Sequence, residues 1–159
     1  MIECDLQNKS KELVTLNPYG KVPVLVDEDA VIYESAVINE YLDEKFPDVP
    51  LMPKELTKRA EVRIWIDFCN TRLQAAAGNI RHDHEVEKNK KRLRQHLETL
   101  EERMTGREYI VDDYSLADIT YIPFFTREDH YRTSITEDLP NVKRWRDTLL
   151  ERPRVKTTP

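Results

Sequence analysis

Lys21-Val22-Pro23 and Glu34-Ser35 are the residues whose types and spacing fit ligand chemistry. A serine that opens a helix caps it, and the helix start offers unpaired N–H groups and the positive end of the dipole. Ser35 occupies such a place by pattern, which suits a carboxylate, and Glu34 beside it suits an ammonium. One α-amino-acid head carries both charges, so the pair fits a free amino acid or a γ-glutamyl group. The plainer alternative is a capped helix with a solvated glutamate. At Val22-Pro23 a cis peptide would turn the Val22 backbone outward, where its N–H and C=O can pair with an extended peptide. A trans proline on an edge strand is the other reading. Only about 5–6% of X-Pro bonds in folded proteins are cis, so the sequence taken alone favours trans.

Other polar groupings have structural explanations. Ser115-Leu116-Ala117-Asp118 has the spacing of a capping box, with Tyr114 and Ile119 at the positions of a hydrophobic staple. It predicts a fixed, buried helix start and no substrate contact. His82-Asp83-His84 offers metal-ligand types, but in a polar loop before a helix they read as solvated, and no metal is expected. The basic run 88–92 shares its helix with Glu85, Glu87, Glu98, Glu101 and Glu102, which makes a mixed-charge solvated face.

The elements that must position these groups follow from the apolar pattern. Residues 2–6 alternate as a short strand, residues 10–16 give one or two helical turns capped by Ser10, and Asn17-Pro18-Tyr19-Gly20 is a turn. Residues 22–26 and 30–33 read as the strands of a hairpin around 27–29, with Pro23 at an edge, a bulge or a cis bond. From Ser35, the residues Val37, Ile38, Tyr41, Leu42 and Phe46 form one face of a helix that stops before Pro47. Prolines 47, 50 and 53 mark 47–54 as an interdomain linker. Beyond it, apolar stripes predict bundled helices over 55–80, 85–105, 115–130 and 139–151, with Gly106 as a C-cap.

Composition bounds the function. A chain of 159 residues can bury about 70% of its unfolded surface, so it needs no staple. With 39% hydrophobic residues it is too apolar for disorder. Three glycines argue against a glycine-rich phosphate loop, and a net charge of −5 without a basic block argues against nucleic acid. Cys4 and Cys69 are far apart and form no CxxC, so neither a redox pair nor a zinc site is expected; free thiols suit a reducing cytoplasm. No apolar run reaches membrane-spanning length and no signal-peptide pattern opens the chain, so a soluble cytoplasmic protein is expected.

Together these pieces resemble the glutathione transferase superfamily. The resemblance rests on residues 17–25, on Tyr33-Glu34-Ser35-Ala36-Val37-Ile38-Asn39-Glu40-Tyr41-Leu42, on Phe46-Pro47 and Leu51-Met52-Pro53, on Ser115-Leu116-Ala117-Asp118, and on Pro140-Asn141-Val142 with Trp145 and Arg152-Pro153. It covers nearly the whole chain in family order. It implies an α+β two-domain fold: a partial thioredoxin-like glutathione-binding domain over 1–46, the linker 47–54, and an all-α helical bundle over 55–159. It implies glutathione as co-substrate or ligand. Pro23 would be the family's cis-proline, Val22 would pair with the cysteinyl backbone, and Glu34 and Ser35 would hold the γ-glutamyl group. Lys21 and Lys9 would lie near the glycine end. It implies a hydrophobic electrophile bound around Trp65, Phe68, Cys69, Arg72 and Leu73 with Tyr121 and Phe125, although those side chains equally suit a plain core. A homodimer is common in the family.

The family's catalytic Ser, Cys or Tyr lies in an opening strand–loop–helix, and residues 1–6 already resemble the second strand. The expectation is therefore a truncated first domain with no catalytic residue; Cys4, Ser10 and Tyr19 do not match that position. The strand at 22–26 is then expected to carry an open edge. Two functions follow from the resemblance. One is an enzyme that, in a complete form, conjugates glutathione to an electrophile. The other is a non-catalytic module of this fold for protein contact or ligand carriage. Residues 41–47 with Leu51-Met52-Pro53 are similar to the stringent starvation protein A branch, which contacts RNA polymerase.

Overall fold

The structure is a computed structural model that describes residues 4–5 and 8–157. The chain divides into two compact units, Met1–Pro50 and Leu51–Pro159.

In the first unit, α1 (Lys11–Leu16) opens at Ser10, whose hydroxyl accepts the Leu13 N–H at 3.1 Å, and Leu13 is buried. β1 (Val24–Asp27) and β2 (Ala30–Tyr33) form an antiparallel hairpin in the register Val24↔Tyr33 to Asp27↔Ala30. β1 starts only after Pro23, which has no N–H to give to a ladder. Glu28 and Asp29 make the loop, with Glu28 at φ 54°. α2 (Ser35–Lys45) packs on both strands and buries Ile38. Strand alternation puts Asp27 on the face shared with Leu25 and Ile32. There it accepts hydrogen bonds from the Tyr41 hydroxyl and the Lys45 ammonium, which ties the hairpin to α2. Of the strand expected at 2–6, residues 2, 3 and 6 lie outside the described residues; Cys4 and Asp5 are exposed and in no strand.

The second unit is all helix. α3 (Leu56–Phe68), a π-helical turn (Cys69–Leu73) and α4 (Gln74–Arg81) follow without a break where one helix was expected. Then come α5 (Val86–Arg103), α6 (Leu116–Phe125), a 3₁₀ turn (Glu128–Tyr131), α7 (Pro140–Leu150) and α8 (Pro153–Lys156). The helix expected over 115–130 is shorter. α6 stops at Phe125, and the chain turns back so that the Tyr131 hydroxyl donates to the Phe124 carbonyl at 2.8 Å. Val62, Leu73, Leu93, Leu97, Leu100, Phe124, Trp145 and Leu149 are buried in the core.

A buried carboxylate organises this core. Asp118 accepts from the Ser115 N–H at 3.0 Å and the Ser115 hydroxyl at 3.1 Å, while the Ser115 hydroxyl oxygen accepts the Ala117 N–H at 3.3 Å. Its other oxygen accepts the Ile110 N–H at 3.1 Å and the Trp145 indole N–H at 2.9 Å. Burial pushes the Asp118 carboxyl up from its ordinary range, and these donors pull it back. Capping box and core are thus one network joining α6, the loop before it and α7.

Candidate ligand site in the first unit

The hairpin register builds the site. Val24 pairs with Tyr33, so Val22-Pro23, just before β1, and Glu34-Ser35, just after β2, lie at the same end of the hairpin. The rings of Tyr19 and Tyr33 meet edge-on at 5.8 Å, which brings the 17–21 turn to that end as well. Lys21, Val22, Pro23, Glu34 and Ser35 are all exposed there. The Val22-Pro23 peptide is cis. Among the described residues, nothing takes the Val22 N–H or C=O.

Asn17 shapes the approach to Val22, a role that turn composition did not disclose. It is 1% exposed. Its amide donates to the Lys21 carbonyl at 2.9 Å, and its carbonyl oxygen accepts the Tyr19 N–H at 3.0 Å. The Asn17 backbone carbonyl accepts the Gly20 N–H at 2.8 Å. The signal in the sequence was an asparagine at the head of a Pro-x-Gly turn, where its side chain can replace backbone partners. Gly20 sits at φ +59°, and a Cβ built on it would lie 3.2 Å from the Lys9 Cδ and 3.3 Å from the Lys9 Nζ. Lys9 therefore lies across Gly20, next to Lys21 in the chain.

At the other wall the capping pattern differs from expectation. The N-cap is Glu34 and Ser35 is the first helical residue; no side chain caps the helix. The cause is the Glu34 backbone, at φ 70° and ψ 115°, which turns the chain from β2 into α2 in one residue. That conformation costs a non-glycine residue about 1–3 kcal/mol. Its consequence is an open helix start. The Ile38 N–H reaches the Glu34 carbonyl at 2.9 Å, while the Ser35, Ala36 and Val37 N–H groups precede the first helical bond. N–H groups outside the helical ladder, a hydroxyl and a carboxylate therefore stand together. They can hold one carboxylate and one ammonium.

The second expected pocket is divided by burial. Trp65 and Phe68 are half-buried, with rings 5.3 Å apart; the Arg72 guanidinium lies 5.7 Å over Phe68, and His96 meets Phe68 edge-on at 5.8 Å. Cys69 and Tyr121 are core residues at 0% exposure. The Cys69 thiol donates to the Thr120 carbonyl at 3.7 Å, and burial pushes it up to about 12. The Tyr121 hydroxyl donates to the Trp65 carbonyl at 3.0 Å, and its ring is 4.8 Å from Trp145. Leu73 and Phe125 are buried as well. In the loop at 82–84, Asp83 pairs with Arg132 at 2.6 Å. Among the described residues no acidic, histidine and cysteine cluster could hold a metal, and no helix is long and apolar enough to cross a membrane.

Comparison with known proteins places this geometry. Residues 1–45 match the glutathione S-transferase N-terminal domain, and residues 64–153 match the glutathione S-transferase C-terminal domain. Glutathione S-transferase 3 of Glycine max is 32% identical over 98% of this chain and 75% of its own length. The crystal structure of a class Gtt2 glutathione S-transferase of Vibrio parahaemolyticus superposes with a TM-score of 0.83 at 31% identity, over 94% of this chain and 78% of that one. A glutathione S-transferase from Methylobacillus flagellatus with GSH bound gives a TM-score of 0.84 at 26% identity, over 98% of this chain and 84% of that one. The hairpin-and-helix unit and the helical unit are thus thioredoxin-like and all-α portions of one known fold, and the chain belongs to the glutathione S-transferase family.

Proposed function

We propose that the chain binds glutathione at the end of the hairpin for conjugation to an electrophilic small molecule. The observation that carries this reading is the Val24↔Tyr33 register, which brings the Val22 backbone and the Glu34-Ser35 helix start together. The tripeptide has complementary chemistry. Its γ-glutamyl carboxylate suits the open N–H groups and hydroxyl at Ser35, and its ammonium suits Glu34. Its cysteinyl backbone suits the Val22 N–H and C=O as an added strand segment. Its glycine carboxylate suits Lys21 and Lys9. Conjugation then needs the thiol as thiolate: the proton leaves, sulfur bonds to the electrophilic carbon, and the leaving group departs with its electron pair. Trp65, Phe68 and Arg72 are proposed as the wall for a hydrophobic electrophile, with Cys69 and Tyr121 packed beneath. A cytoplasmic setting and a homodimer belong to the same reading. Exposed Phe46 and Val49 in the first unit, and Leu56 and Ile64 in the second, support the dimer.

Calorimetric titration with glutathione tests the site. Saturable binding that weakens about tenfold or more in Glu34→Ala/Ser35→Ala is expected, the factor set by losing charge-assisted hydrogen bonds. Absence of binding by folded protein would refute it. Binding without turnover of a chlorodinitrobenzene would favour the non-catalytic module.

A further inference from the structure

We propose that a cleft in the helical unit, between α4 and the 3₁₀ turn, binds a ligand through one compact anionic group: a carboxylate, a phosphate or a sulfate. The cleft has a volume of about 70 Å³ and is lined by Gln74, Gly78, Arg81, Arg127, His130 and Tyr131. That is room for a head group and not for a whole drug-sized ligand. It lies wholly within the second unit and does not depend on the glutathione reading.

Charge is the first argument. Arg81, Arg127 and His130 are exposed at the cleft, and among the described residues neither arginine has a carboxylate partner. The neighbouring acids are engaged elsewhere: Asp83 pairs with Arg132 at 2.6 Å and Glu128 with Arg146 at 2.8 Å. Asp129 lies outside the lining. Both arginines line the same cleft as the Tyr131 ring. The Tyr131 hydroxyl is already spent on the Phe124 carbonyl, so the ring is wall and the arginines are donors.

A competing explanation is that each arginine serves a helix dipole. Arg81 ends α4, and Arg127 follows the end of α6. A helix C-terminus carries about half an elementary charge, so two ends offset about one of the two full positive charges. The remainder, with the forked donors of guanidinium, still selects an anion.

Gly78 is the second and independent argument. Glycine is one of the least favourable residues inside a helix. Here it is not required by a positive φ, and a Cβ built on it meets nothing within 4 Å. Neither backbone nor packing within the protein calls for it. A side chain would instead stand in the open space that Gly78 lines.

Titration of isotope-labelled protein with inorganic phosphate, at constant ionic strength and without glutathione, tests the proposal by amide chemical shifts. Saturable shifts confined to residues 74–81 and 127–131 are expected. Arg81→Gln and Arg127→Gln are each expected to weaken phosphate by about tenfold or more, the loss of a charge-assisted hydrogen bond. Gly78→Ala is expected to weaken phosphate too while leaving the protein at least as heat-stable, which separates ligand loss from misfolding. Shifts that never saturate, or phosphate affinity unchanged in folded Arg81→Gln/Arg127→Gln protein, would overturn it.

Discussion

The first unit keeps its order with polar contacts, and the second with a packed apolar core. Among the described residues of the first unit, Leu13 and Ile38 are the buried apolar side chains, while Val14, Val22, Val26, Val31 and Val37 are between 41% and 55% exposed. What fixes its shape is the Ser10 cap, the Asn17 bonds to the 19–21 turn, and the Asp27 tie to Tyr41 and Lys45. In the second unit, Val62, Leu73, Leu97, Leu100 and Trp145 are fully buried, and the central polar group, Asp118, is satisfied by four donors. The difference has a functional meaning. A hydrogen-bonded scaffold leaves backbone groups at its edge for a peptide-like ligand. A close-packed bundle holds its interior rigid and presents function only at its surface.

The largest expected effect lies in the bundle. Asp118→Ala leaves the Ile110 N–H, the Ser115 N–H and hydroxyl, and the Trp145 indole without their acceptor. Orphaning buried donors costs about 1–3 kcal/mol each and is not additive, so a loss of about 3–5 kcal/mol is expected in urea unfolding followed by tryptophan fluorescence. A loss under about 1 kcal/mol, the scale of an ordinary surface change, would show that the bundle is held by its apolar side chains alone and would sharpen the contrast between units differently.

In the first unit a substitution can do the reverse and stabilise. Glu34 holds φ 70° and ψ 115°, and a positive φ is less costly for a residue without a Cβ. Glu34→Gly is expected to raise the stability of this unit by about 1 kcal/mol, since relief of about 1–3 kcal/mol of strain exceeds the backbone entropy that glycine adds. Glutathione affinity should fall in the same protein, because the carboxylate is gone. Slower amide exchange along α2 together with weaker calorimetric binding would establish that the strain serves the site. Faster exchange would show that the Glu34 conformation is not a stored cost.

How far the sequence disclosed all this depends on the range of the interactions. The hairpin, α2 and the long helices were legible because alternation and helical periodicity are local signals. Ser115 and Asp118 were legible as a pair because a capping box is a four-residue pattern. The reach of Asp118 to Trp145 was not, since that contact spans 27 positions. The π-helical turn at 69–73 left no mark, because Cys69 and Leu73 keep ordinary helical spacing. The strand at 2–6 and its neighbours depend on residues partly outside those described. Residue types pointed to a helix start at Glu34-Ser35 but not to which of the two ends the turn. A single positive φ decides that, and the carboxylate side chain gives no hint of it. The Trp65 to Tyr121 grouping mixes half-buried side chains with core ones, which composition cannot separate.

The smallest expected effect concerns acid. The Lys45 hydrogen bond first, and the Tyr41 hydroxyl next, hold the Asp27 carboxyl below its ordinary value of 3.8. In the unfolded chain it returns to that value. Between the two, the unfolded state binds more protons than the folded one, so stability rises with pH through this window. The contribution is full above pH 3.8 and is lost as pH falls through the lower folded value. Comparing α2 amide exchange in wild type and Asp27→Asn above and below pH 3.8 isolates this group, since the other acids are common to both proteins. The gap between the two proteins should close as the solution is acidified. A gap that stays constant with pH would mean that Asp27 ties the hairpin to α2 by shape and hydrogen bonding, not by charge. The polar contacts of the first unit would then act as hydrogen bonds whose strength does not depend on the Asp27 charge.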